Sequence, residues 1–180
     1  MQNGPGIGRH NQGSDERRNR YPYLAAWRRS IGQIWTGTRA TLGGVVPVLR
    51  VQDLSVSIAY YVDCLAFTHD WTDGSMASVH RDRASAMLCE GDQGQPGTWL
   101  WMSVSDVDAL WAELEERGAR LRHPPTNYPW GSRECQIIDP DGHVLRFGAE
   151  SLAGEALGPF RDGVGRLWFP EPDGRWRLGE

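Results

Sequence analysis

The sequence predicts an α+β fold in which two βαβββ modules pair into a curved, partly open mixed sheet around a cavity. Three observations carry this expectation. A β-branched run, an Asp-capped amphipathic helix and three short strands follow one another over residues 45–90. The same order recurs over residues 97–150. Tight-turn residues separate the strands in both stretches. Each module is too small to close a core alone, so the two must pair their sheets. Residues 1–44 are expected to form a disordered or weakly helical basic leader, and residues 151–180 an aromatic, Gly/Pro-rich tail.

The first module opens with residues 45–51, a β-branched run suited to a buried strand. Asp53 caps a helix whose Leu54, Ile58, Tyr61 and Leu65 recur at three- and four-residue intervals. Strands are expected over residues 67–71, 75–80 and 84–90, with turns at Thr72-Asp73-Gly74 and Arg81-Asp82-Arg83. In the second module residues 99–104 read as a strand and Ser105 as the cap of a helix with Val107 to Leu114 on its apolar face. Gly118 ends that helix. A brief edge strand follows over 119–123, then strands over 133–138 and 143–147 joined by Asp139-Pro140-Asp141-Gly142. In the tail, Asp173-Gly174 between Trp168-Phe169 and Trp176 reads as a small hairpin, and its aromatics need cover from the domain or from a second subunit. Within the leader, residues 21–34 carry a short basic amphipathic pattern, read as a marginal helix or as sequence upstream of the true start.

Composition narrows the function classes. With 39% hydrophobic and 23% charged residues the chain resembles a soluble globular domain, and no apolar run reaches a membrane span. The polar, Gly-rich opening lacks a signal peptide, so a cytoplasmic location is expected. Cys64, Cys89 and Cys135 have no CxxC spacing and read as reduced thiols. Residues 1–44 hold seven Arg against Asp15 and Glu16, net +5, which leaves net −9 for the remainder of a chain at −4. An acidic body disfavours nucleic acid and favours a cationic small molecule.

Residues 47–61, PVLRVQDLSVSIAYY, with Leu65-Ala66-Phe67 after them, resemble the opening module of the vicinal oxygen chelate (glyoxalase, bleomycin resistance and dioxygenase) superfamily. Residues 130–148, WGSRECQIIDPDGHVLRFG, resemble its closing module, most closely as seen in bleomycin-resistance-type proteins. The resemblance covers residues 45–148. One departure is Ala66, where the family usually carries Gly; a positive φ there would cost about 1 kcal/mol. Catalytic members hold a divalent metal with four His or Glu side chains, one from each of four strands. The matching positions here are Val46, Glu90, Trp99 and Arg146, of which Glu90 alone could donate to a metal. The resemblance therefore implies no metal and no cofactor, and binding in place of catalysis. The lone His69, His80, His123 and His143 read as core or surface residues.

If Trp99 faces the cavity, alternation sends Trp101 and Ser103 to the same side. The other possibility is that both tryptophans fill the core. Trp130, Tyr128 and Phe67 are further candidate walls, and Glu90 and Glu134 could answer a positive charge. Arg146 either grips a ligand carboxylate or pairs internally with one of those glutamates, the second being preferred. By resemblance, the implied partner is a planar cationic drug bound by a homodimer, with the N-terminal strand exchanged near Pro47. Two alternatives differ in class: a glyoxalase-like lyase, isomerase or dioxygenase-related enzyme using Glu90, Glu134 and Arg146, and an interaction module built on the basic leader and aromatic tail.

Overall fold

The computed structural model describes residues 42–179. The amphipathic pattern at residues 21–34 lies outside them. Residues from Val46 onward form a compact unit of their own.

Two four-stranded mixed sheets are built by the same rule. In the first, β1 (Val48–Arg50), β2 (Thr68–Thr72), β3 (Met76–Arg81) and β4 (Ala84–Cys89) lie in the order β1-β4-β3-β2, with β1 parallel to β4. In the second, β5 (Trp99–Ser103), β6 (Leu121–Asn127), β7 (Ser132–Ile138) and β8 (Val144–Glu150) lie in the order β5-β8-β7-β6, with β5 parallel to β8. Each opening strand reaches its parallel partner through a helix and two antiparallel strands, which is the expected βαβββ module twice over.

Helix α1 (Leu54–Ala59) starts at Asp53, whose carboxylate accepts the Val56 N–H at 3.0 Å. It continues as a π-helical turn, Tyr60–Cys64, closed by the Leu65 N–H on the Tyr60 carbonyl at 3.2 Å. Helix α2 (Val107–Glu116) is capped by Asp106, which accepts the N–H groups of Asp108 and Ala109. This corrects the expectation of Ser105: the residue directly before the first helical position holds the extended backbone a cap requires, φ −147° and ψ 109°. The edge strand β6 also runs further than residues 119–123, passing through Pro124 and Pro125 to Asn127. Its pairing with β7 shifts register on both sides of His123, and such bulges on an edge are where proline is tolerated.

One apolar cluster spans both modules. Leu49, Ala77, Val79 and Leu88 meet Leu114, Cys135, Ile137 and Leu145, all fully buried. Polar ties cross the same junction. The Tyr61 hydroxyl donates to Asp139, Ser57 donates to Asp141, and the Tyr60 hydroxyl donates to the Ile138 carbonyl while accepting the Arg120 N–H. His143 is fully buried: its Nδ1 accepts the Thr98 N–H, so its Nε2–H donates to the Arg50 carbonyl at 2.8 Å. That pairing assigns His143 to the core.

The tail folds into a three-stranded antiparallel sheet of β9 (Phe160–Arg161), β10 (Leu167–Pro170) and β11 (Trp176–Leu178), with the expected turn at Asp173-Gly174. Its approach is held by buried Asn127, whose side-chain amide donates to the Leu152 carbonyl at 2.7 Å and accepts the Leu152 N–H at 3.1 Å. Among the described residues no helix is long and apolar enough to cross a membrane.

Candidate ligand-binding cleft

The second sheet presents one face to the core and one outward. On β5, Leu100 and Met102 pack inward, while Trp99, Trp101 and Ser103 point out. Trp99 and Trp101 are each 55% exposed, which rules out the reading that they fill the core. Register then determines their neighbours. Trp101 pairs with Arg146 of β8, and Arg146 with Gln136 of β7, while Glu134 lies opposite Gly148. Gly148 lets the Trp101 indole lie flat across the sheet: a Cβ there would stand 2.7 Å from the indole ring.

Trp101, Trp130, Ser132, Glu134 and Arg146 line one open cleft of about 560 Å³. Four of these five were expected from sequence. Ser132 was not, although its place two residues before Glu134 on one strand puts it on the same face. Tyr128 is buried beneath the cleft, stacked on Trp130 with centroids 4.6 Å apart and planes 6° from parallel. Its hydroxyl has a raised pKa, chiefly because burial disfavours the phenolate.

Glu134 and Arg146 form an ion pair across β7 and β8. The other carboxylate oxygen of Glu134 accepts the Trp130 indole N–H at 2.8 Å and the Ser132 hydroxyl. The Arg146 guanidinium carbon lies 5.3 Å from the Trp130 ring centroid and 5.7 Å from that of Tyr128. Glu134 thus orients the indole wall and neutralises the guanidinium at once. Behind the wall, Phe160 meets Trp130 edge-on at 5.4 Å, and Trp176 buttresses Phe160 at 5.0 Å. These tail contacts had no counterpart in the sequence reading beyond the general need to cover exposed aromatics.

The structure does not bring the remaining expected residues to this cleft. Trp99 lies at the far end of the same face, with Arg122 of the opposite edge strand reaching over to stack on it at 5.2 Å. Phe67 is buried against Tyr61 at 5.5 Å and lines a second groove of about 970 Å³ between the β3–β4 turn, α2 and the end of β5, which meets the cleft at Trp101. Glu90 spends its carboxylate on the N-terminus of α1, accepting the Leu54 N–H at 2.8 Å, where the helix dipole favours an anion.

The donor set at the four metal-ligand positions does not fit a divalent ion. Val46 and Trp99 offer no suitable donor, Glu90 is committed to α1, and Arg146 places a guanidinium there. Among the described residues, no three His, Cys, Asp or Glu side chains stand together as a metal site.

A profile of the Glyoxalase/Bleomycin resistance protein/Dioxygenase superfamily matches residues 42–147. A bleomycin resistance protein of Geobacillus stearothermophilus is 25% identical over 124 residues, 57% of this chain and 92% of the relative. Among solved structures, the bleomycin-binding protein of bleomycin-producing Streptomyces verticillus, complexed with copper(II)-bleomycin, superposes with a TM-score of 0.54 at 26% identity. It covers 63% of this chain and all of that one. A glyoxalase/bleomycin resistance protein/dioxygenase from Nocardioides shares the fold over 78% of this chain and 99% of its own, with a TM-score of 0.52 at 19% identity.

Proposed function

Because this chain belongs to the Glyoxalase/Bleomycin resistance protein/Dioxygenase superfamily, we propose that it is a metal-independent binding protein that sequesters a planar heteroaromatic small molecule. The observation that carries this reading is the pair of half-exposed tryptophans, Trp101 and Trp130, standing over a floor whose two ionisable groups neutralise each other. Flat indole walls gain about 0.5–1.5 kcal/mol from each stacked ring beyond the area buried. The bleomycin relatives support a bleomycin-like ligand. Metal independence is supported by the misfit of Val46, Glu90, Trp99 and Arg146. An enzyme of the lyase or isomerase kind would need a base free to take a proton, whereas Glu134 is 2% exposed and already accepts from three donors. The same reading includes a homodimer whose second copy completes the open side of the cleft.

Titrating the protein with bleomycin while following tryptophan fluorescence tests the proposal. Saturable quenching at low micromolar drug is expected, with Trp101→Ala or Trp130→Ala weakening binding roughly ten-fold. No response to saturating drug would sink the bleomycin-like assignment. Near-stoichiometric nickel, zinc, iron or manganese in the purified protein would overturn its metal independence.

A further inference from the structure

The two members of the Glu134–Arg146 pair are not equally visible from the cleft. The Glu134 side chain is 3% exposed and the Arg146 side chain 27%. Glu134 is also filled, by the Trp130 indole, the Ser132 hydroxyl and the Arg146 Nε–H. Arg146 is in the opposite condition. A guanidinium carries five N–H donors, and among the described residues the Nε–H alone meets an acceptor, leaving the four N–H groups of the two terminal nitrogens without one there. The group is pinned all the same, by Glu134 on its Nε edge and by the Trp130 and Tyr128 rings, whose centroids lie 5.3 Å and 5.7 Å from its central carbon. The charge the cleft shows to a ligand is therefore positive, although both formal charges are present in its floor.

We propose that the cleft selects a planar aromatic ligand bearing an anionic acceptor, a carboxylate, seated on the terminal nitrogens of Arg146 with its ring against Trp101 and Trp130. This rests on the stacking reading above and departs from its bleomycin-like ligand, a cationic drug that the same floor disfavours. It replaces the sequence expectation that Glu134 attracts a cation. A guanidinium edge offers parallel N–H groups that match a carboxylate two for two. Because Arg146 is held before the ligand arrives, little side-chain freedom is lost on binding. A cationic substituent in the same place would meet a like charge, with the compensating carboxylate out of reach beneath it.

Three probes of one ring shape test the inference by tryptophan fluorescence: naphthoate, naphthamide and naphthylmethylamine. In the full-length protein near neutral pH, naphthoate is expected to bind about ten-fold or more tightly than naphthamide, with the amine weakest. In the paired variant Glu134→Gln/Arg146→Gln, which removes both charges together, the ratio of naphthoate to naphthamide affinity should fall to about one. Arg146→Lys, which keeps the charge and loses the planar fork, should retain part of that preference. The order of affinities in the unaltered protein decides the matter whatever the variants do. Equal affinity for the three probes, or tightest binding of the amine, overturns the anionic assignment and leaves stacking intact. Binding of none of the rings overturns both.

Discussion

Ala66 sits at φ 56°, in the left-handed region, directly after the π-helical turn and just before β2. The chain must reverse there to bring buried Phe67 onto Tyr61, and the Phe67 N–H bonds back to the Tyr61 carbonyl at 2.9 Å. A residue with a Cβ is strained in that conformation by roughly 1–2 kcal/mol, partly offset because glycine is more costly to order. Ala66→Gly is therefore expected to raise unfolding free energy by about 0.5–1 kcal/mol, read from the midpoint of denaturant unfolding at unchanged m. An unchanged or lower midpoint would show that the strain is relieved elsewhere. At this scale residue type was informative where chemistry allows one partner class. Arg146 beside a glutamate was legible as an internal pair, because a guanidinium cannot shed its charge. Which glutamate, and which partner stays exposed, was not: Glu90 and Glu134 look alike in sequence, and burial separates them.

At the scale of elements, periodicity located every strand and helix of both modules, and its errors fall at ends. For α2 the misplaced cap makes a prediction. Asp106→Ala should cost about 1 kcal/mol, while Ser105→Ala should fall within a few tenths, in parallel denaturant titrations. A larger loss at Ser105 would contradict the observed capping hydrogen bonds. Strand β6 outran its expected end because proline argues against a ladder only where its missing N–H would have been used, and an edge strand spares it that demand. The tail is the reverse case. Its hairpin turn was legible from Asp173-Gly174, but no local pattern announces that Phe160 meets Trp130, thirty positions earlier. Arg133, buried to 8% exposure, ties Glu155 at the start of the tail and Asp108 of α2 to one guanidinium. That tie depends on three elements arriving at one point.

Across the whole molecule, stability couples to pH through groups buried where the modules meet. Cys135 is fully buried in the shared core, and burial pushes its thiol from 9.0 up to about 12. Tyr61 is also raised well above its usual value, first by burial and then by Asp139. Both shifts have the same sign. Over this range the unfolded chain loses protons that the folded protein keeps, so their contribution is whole below the unfolded pKa and is lost as pH rises through the folded one. Stability is expected to fall steadily above about pH 9, with Cys135→Ala giving a shallower decline between about pH 9 and pH 11 than the unaltered chain. Parallel slopes for the two proteins would contradict it. The sequence by itself determined the fold class, the twice-repeated module, and that Trp99 and Trp101 share one face of β5. These follow from spacing along the chain, since hydrophobic period and turn chemistry are local. Only the tertiary structure decided that the tryptophan face of β5 is turned outward, that Trp130 and Trp101 line one cleft while Trp99 lies beneath Arg122, that Glu90 caps a helix, and that Arg146 is the more exposed member of its ion pair. Those outcomes depend on strand register and burial, which arise only when distant segments compete for the same space.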